Sequence, residues 1–214
     1  ETIRTTGNLD KDTEEALTTL TPEQFADGCG EVVKHAVIAD PELFAELEKT
    51  PLTLELLNRD VARVALIIAR NIDIKRAVVV ADERETNQRK LLNFGHSAGH
   101  AVEACEHFEL GHGNCVSIGM GIITRAAALH GVCDAELPGR IEELCARHGL
   151  KTHCDLDADA IFAEALHDKK RAGDTIDLVI PHDIGHCSID RTPLSTFHEL
   201  IAEGLGQKGN ASAC

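Results

Sequence analysis

The stretch Asn93-Phe94-Gly95-His96-Ser97-Ala98-Gly99-His100-Ala101-Val102-Glu103 decides the reading of this chain. On a helix, residues four apart share a face, so His96 and His100 present their imidazoles side by side. Neutral imidazole is the commonest protein ligand for zinc. Gly95 and Gly99 leave that surface open to a closely approaching helix or ligand. A third imidazole follows in Leu110-Gly111-His112-Gly113, just ahead of another helical pattern. Upstream, Glu31-Val32-Val33-Lys34-His35 puts a carboxylate and an ammonium three apart on one helical face. Taken alone, that pair reads as a solvated salt bridge. A Glu/His/His set with an open coordination position is nonetheless the pattern of a catalytic divalent-metal site.

Charge gathers near these residues. Lys75 ends a long helical pattern, Asp82-Glu83-Arg84-Glu85 follows, and Arg89 stands four before Asn93. A helix through this region would place Arg89 and Asn93 on the face of His96 and His100. A guanidinium is the side chain best shaped to hold a carboxylate through two bonds. Asp168-Lys169-Lys170-Arg171 is a basic helix end, which also suits the helix dipole. These cations belong to a chain of 214 residues with net charge -15. Such a chain repels nucleic-acid backbones and anionic membranes, so neither is an expected partner. Aromatic residues make up 3%, with no Trp or Tyr, which also disfavours base stacking. No apolar run approaches the roughly 18 residues of a membrane span.

Helix signals are frequent. Thr21-Pro22-Glu23-Gln24 reads as an N-cap, a Pro in the first turn and a capping-box Gln. Asp40-Pro41 and Thr50-Pro51 repeat the cap-then-Pro device. Periodicity predicts helices over 54–74, over 85–106 with breaks only at Gly95 and Gly99, and over 115–130, 137–148, 158–170 and 194–205. Strands are expected only at 176–180 and 187–190, paired across 181–185. The fold class is therefore mainly α with one small β-hairpin. A helical domain carrying the metal-ligand candidates is expected over residues 1–205, and a flexible tail over 206–214. The eight cysteines include no CxxC pair and no zinc-ribbon spacing. With no secretory segment at Glu1, they are expected to be reduced, buried thiols of a cytoplasmic protein. Gly28-Cys29-Gly30 and Gly111-His112-Gly113 both lack the third Gly of a dinucleotide fingerprint, and neither follows a convincing strand.

These clusters together resemble 3-dehydroquinate synthase. The resemblance runs through Gly28-x-Gly-Glu31-Val-Val-Lys34, Lys75, and Asp82-Glu83-x-Glu85-x-x-x-Arg89-x-Leu-Leu-Asn93. It continues through Phe-Gly-His96-Ser-x-Gly-His100-Ala-Val-Glu103, His112-Gly, Gly119-Met120, Asp168-Lys-Lys170 and Ile184-Gly185. The order and rough spacing are the family's, over nearly the whole chain. The resemblance covers the multi-helix C-terminal domain of that enzyme; no part corresponds to its N-terminal, NAD-binding parallel sheet. Asn114-Cys115 stands where the family usually has Glu-Ala, a lost charge beside His112.

The resemblance implies a lyase of the shikimate pathway. It cyclises 3-deoxy-D-arabino-heptulosonate 7-phosphate to 3-dehydroquinate with loss of phosphate, using NAD and zinc or cobalt. It implies Glu31, His96 and His112 as metal ligands. Lys75, Arg89 and Asn93 would hold the substrate carboxylate, and Lys34 would donate near the metal-bound hydroxyls. His100 and Lys170 would lie by the phosphate, with His100, Glu85 and Lys34 as catalytic candidates. An N-terminal NAD-binding domain and a homodimer are the implied partners, and the isolated chain is expected to fold without turning over. The alternatives are a related sugar phosphate cyclase and a non-catalytic metal-binding or assembly domain.

Overall fold

The computed structural model describes residues 15–17, 19–82, 88–169 and 173–207. In chain order the elements are α1 (Pro22–Ala39), α2 (Pro41–Lys49), α3 (Leu54–Arg59), α4 (Val61–Ala81) and a 3-10 segment (Gln88–Asn93). Then come α5 (His96–Cys105), α6 (His112–Leu129), α7 (Leu137–Arg147), α8 (Ala158–Lys169), β1 (Thr175–Asp183), β2 (His186–Pro193) and α9 (Leu194–Gly204). The mainly α fold with one hairpin is thus as the sequence predicts.

Local chemistry starts most of these helices. Thr21 accepts from the Gln24 amide at 3.2 Å while the Gln24 side chain accepts from the Thr21 amide at 3.0 Å, a complete capping box. Asp40 caps α2 through the Leu43 amide at 3.0 Å. Two predicted helices are broken. The expected helix 54–74 splits at Asp60, whose backbone leaves helical geometry (φ -145°, ψ 70°) and whose side chain accepts from the Arg63 amide at 3.1 Å. The hydrophobic period carries on across this break, so periodicity alone does not see it. The expected helix 85–106 is also interrupted, by the 3-10 segment and then by Gly95 at φ +77°. Gly95 ends one run and begins α5, so Arg89 and Asn93 do not share a helix with His96 and His100.

Helix α6 is the central element, with thirteen of its eighteen residues buried. Helix α5 crosses it along small residues: a Cβ on Gly99 would sit 2.8 Å from the Cys115 carbonyl oxygen. Helix α1 crosses α6 on another side, where a Cβ on Gly30 would meet the Gly113 carbonyl oxygen at 2.7 Å. Gly30 of the first GxG sequence and both glycines of the second are therefore spent on the close approach of α1 to the start of α6.

The strands pair antiparallel from Thr175–Pro193 to Asp183–His186, longer than the sequence predicts. Pro181 lies inside β1 opposite Cys187, because a two-stranded ribbon has a free edge where a missing N–H breaks no ladder bond. The hairpin tip docks on α1, with the Gly185 amide donating to the Val37 carbonyl at 2.7 Å. Of the expected tail, Gln207 is tied to the domain: its side chain accepts from the Ala158 amide and donates to the Leu156 carbonyl, at 3.0 and 2.9 Å. Residues 208–214 lie outside the described residues. No helix among the described residues is long and apolar enough to cross a membrane.

Candidate metal centre

The α5–α6 crossing brings three imidazoles together. Ring centroids of His96, His100 and His112 are 5.2, 5.2 and 5.6 Å apart, and one nitrogen of each lies within 4.8 Å of the other two. His96 and His100 meet because they are one helical turn apart. His112 joins from the first residue of α6. The orientations differ. His96 Nδ1 is 3.2 Å from the Phe94 carbonyl oxygen, and His112 Nδ1 is 3.3 Å from Glu103 Oε2. An acceptor at Nδ1 holds the proton there and leaves Nε2 as the ligand atom. His100 has no such anchor among the described residues and is exposed.

Glu31 completes the group from α1. Its Oε1 stands 3.6 Å from His96 Nε2, is buried and has no hydrogen-bond partner. An orphaned carboxylate oxygen beside His96, whose ring in turn neighbours His112 and His100, makes an oxygen and nitrogen donor set that suits zinc or cobalt. The other oxygen, Oε2, accepts from Lys34 Nζ at 2.7 Å. Burial alone would raise the Glu31 carboxyl, but Lys34, with His96 and His35, holds it below its ordinary value. Lys34 is also shifted down, since burial outweighs the attraction of Glu31. Burial first, then the charge of Lys34, pushes His96 down to about 4. A ligand that sheds its proton this readily is open to a metal at neutral pH.

Two cavities meet at His96 and Asn93. The larger, about 540 Å³, is walled by His100, Glu103, Phe108 and His167. The smaller, about 210 Å³, is walled by Glu31, Lys34, His35, Lys75 and Arg89. Lys34, Lys75, Arg89 and Asn93, all named from sequence, therefore share one small cavity beside the metal candidates. The Arg89 amide donates to Asp82 at 3.1 Å, and Lys90 pairs with Asp177 of β1 at 2.6 Å, so the first turn of the 3-10 segment is tied both to the end of α4 and to the hairpin. Glu85 and Lys170 lie outside the described residues. Asn114 does not face the imidazoles. It bonds Asp27 at 3.3 Å and accepts from the Lys151 amide at 3.0 Å, which makes it a clamp between segments. Sequence reasoning assigned no role to Glu103, although its spacing of nine from His112 across a turn was visible in the motif.

Residues 28–171 match the sequence pattern of the family described as 3-dehydroquinate synthase C-terminal. The chain belongs to that family. The 3-dehydroquinate synthase of Streptococcus suis is 37% identical over 195 residues, which are 90% of this chain and 53% of the relative. That of Acetivibrio thermocellus is 36% identical over 179 residues, 81% of this chain and 49% of the relative. The chain thus spans about half the length of these relatives. A 2-epi-5-epi-valiolone synthase from Streptomyces hygroscopicus subsp. jinggangensis, solved with NAD+ and Zn2+ bound, superposes with TM-score 0.77 at 23% identity. That match covers 90% of this chain and 54% of the other. A 2-deoxy-scyllo-inosose synthase, complexed with carbaglucose-6-phosphate, NAD+ and Co2+, superposes with TM-score 0.72 at 22% identity over 90% of this chain and 55% of the other. At that identity the two structures attest the fold of the dehydroquinate synthase C-terminal domain.

Proposed function

We propose that this chain is the metal- and substrate-holding half of a 3-dehydroquinate synthase. It would act with an NAD-binding N-terminal domain on 3-deoxy-D-arabino-heptulosonate 7-phosphate. The observation that carries the reading is a cluster of three imidazoles, His96, His100 and His112, with Glu31 3.6 Å from His96, beside a small cavity that also carries Lys34, Lys75 and Arg89. In a chain of net charge -15, three cations around one cavity answer to an anionic ligand. Zinc or cobalt would supply Lewis acidity at two substrate hydroxyls, and NAD would supply a reversible hydride acceptor. The residues present suit the metal. Among the described residues the two GxG sequences serve helix packing rather than a dinucleotide cradle.

In this reading, Arg89 and Lys75 hold the substrate carboxylate, with Asn93 as a neutral donor between the two cavities. Lys34, kept by Glu31 at the cavity wall, donates to the hydroxyl that loses its proton. His100, the imidazole without an anchor, faces the larger cavity, which has room for the phosphate end. It moves a proton there together with Glu85, and Lys170 adds a phosphate contact. The retained Arg89 and Asn93 favour a carboxylate substrate over the carboxylate-free sugar phosphates of related cyclases. We place the enzyme in the cytoplasm as a homodimer, for which exposed Leu66 and Ile72 on α4 offer apolar surface.

Phosphate release tests the proposal. With substrate, NAD and zinc, the protein at its full native length is expected to release phosphate, and the 214-residue chain alone is expected to stay at background. Turnover by the isolated chain would overturn the need for a separate cofactor domain. No turnover by the full-length protein would overturn the reaction itself.

A further inference from the structure

His35 faces the small cavity and has no task in the chemistry above. It is 5% exposed, and its Nδ1 lies 2.9 Å from Asn71 Oδ1. The Asn71 amide nitrogen donates to the Ile67 carbonyl at 2.9 Å, which turns Oδ1 toward the ring. That oxygen only accepts, so the imidazole proton sits on Nδ1 and Nε2 keeps a bare lone pair. His35 Nε2 is buried and has no hydrogen-bond partner. The nearby Glu31 Oε2, at 4.0 Å, is an acceptor as well, and Lys34 already occupies it. Among the described residues no charged group of α1 or α4 satisfies this nitrogen: Glu31 cannot donate, Lys34 bonds Glu31, and Lys75 lines the same cavity without a hydrogen bond to the ring.

A buried acceptor left unpaired is costly, and a satisfied core does not keep one beside an open cavity. Opposite His35, the same cavity carries the Arg89 and Lys75 cations. One wall asks for an anion and the other for an O–H donor. We propose that His35 is a further substrate-binding residue, whose Nε2 accepts a hydrogen bond from a hydroxyl of a polyhydroxylated carboxylate held by Arg89 and Lys75. Asn71, reaching over from α4, is its positioning residue, because it fixes which ring nitrogen is bare. His35 thereby selects hydroxylated carboxylates over otherwise similar bare ones. This inference rests on the carboxylate reading above.

The test uses the zinc-loaded protein at full native length, with two probes: quinate, a cyclic polyhydroxy carboxylate, and cyclohexanecarboxylate, which has no hydroxyl. By titration calorimetry, His35→Phe keeps a planar ring without the acceptor and is expected to weaken quinate binding about tenfold. His35→Gln restores an acceptor and is expected to recover part of that loss. Neither variant should change zinc content or cyclohexanecarboxylate binding. In the parent, the 15N resonance of His35 Nε2, assigned by its loss in His35→Gln, should mark an unprotonated nitrogen and move when quinate is added. Should His35→Phe not fold, this resonance decides alone. Equal quinate affinity in parent and His35→Phe, or an Nε2 resonance that quinate leaves in place, overturns the role of His35 while the carboxylate reading stands. A parent that binds neither probe overturns the carboxylate reading and this inference together.

Discussion

His148 and His35 are buried alike, at 4% and 5% exposure, yet they sit in different kinds of region. His148 ends α7. Its Nδ1 lies 2.7 Å from the Leu144 carbonyl oxygen, and its Nε2 accepts from the Leu52 amide at 3.0 Å. Both ring nitrogens are used, and the ring locks the loop after α2 onto α7. His35 uses one nitrogen and turns the other to a cavity. Burial lowers the pKa of both rings, so neither burial nor titration separates them. What separates a structural histidine from a functional one here is the unfilled valence beside open space. The core thiols follow His148: burial drives Cys29 and Cys145 up to about 12, which keeps them protonated and inert.

The contrast can be broken most sharply at the metal ligands. His96→Ala or His112→Ala is expected to weaken zinc binding by more than about a hundredfold in competition titrations, with little change in folding stability. Undiminished zinc binding would put these imidazoles in the same class as His148. The reverse pattern belongs to His148→Ala, which strands the buried Leu52 amide and leaves a void. Denaturant unfolding should show a loss of about 2–3 kcal/mol, with zinc affinity intact.

Glu103→Ala lies between the two regions. It removes the acceptor at His112 Nδ1, so zinc affinity should fall about tenfold, and Glu103→Gln should recover part of it. A pure packing role for Glu103 would instead show in the melting temperature and not in the metal titration. The smallest effect concerns acid. His148 has a folded-state pKa below its ordinary 6.5, chiefly through burial. Its stabilising share is full above pH 6.5 and is lost as the pH falls through the depressed folded value. Stability should decline below pH 6.5, and more shallowly in a His148→Gln variant, by parallel denaturant titrations at several pH values.

The candidate site was legible to an unequal degree. Glu31, Lys34, Lys75, Arg89, Asn93, His96, His100 and His112 all converge on the two cavities or the imidazole cluster. Their helix placement was less legible. Arg89 and Asn93 reach the site from a 3-10 segment, since Gly95 in a left-handed conformation breaks the helix that periodicity joins. The Asn114 substitution looked like a change in the metal surroundings. It proved to be a clamp, because its partners Asp27 and Lys151 are far away in sequence.

What the sequence determined by itself is what covalent geometry enforces over short spans. Thr21, Asp40 and Thr53 cap the helices that follow them, and His96 and His100 share a face because a helix repeats every 3.6 residues or so. Tertiary structure alone decided how closely His112 approaches them, which oxygen of Glu31 is left over, and that His35 keeps a bare nitrogen. Those outcomes depend on how closely α1 and α5 approach α6, and glycine contacts over long sequence separations set that distance. A hydrogen-bonding valence is left open only when every neighbour has been placed, so no local pattern in the chain can announce it.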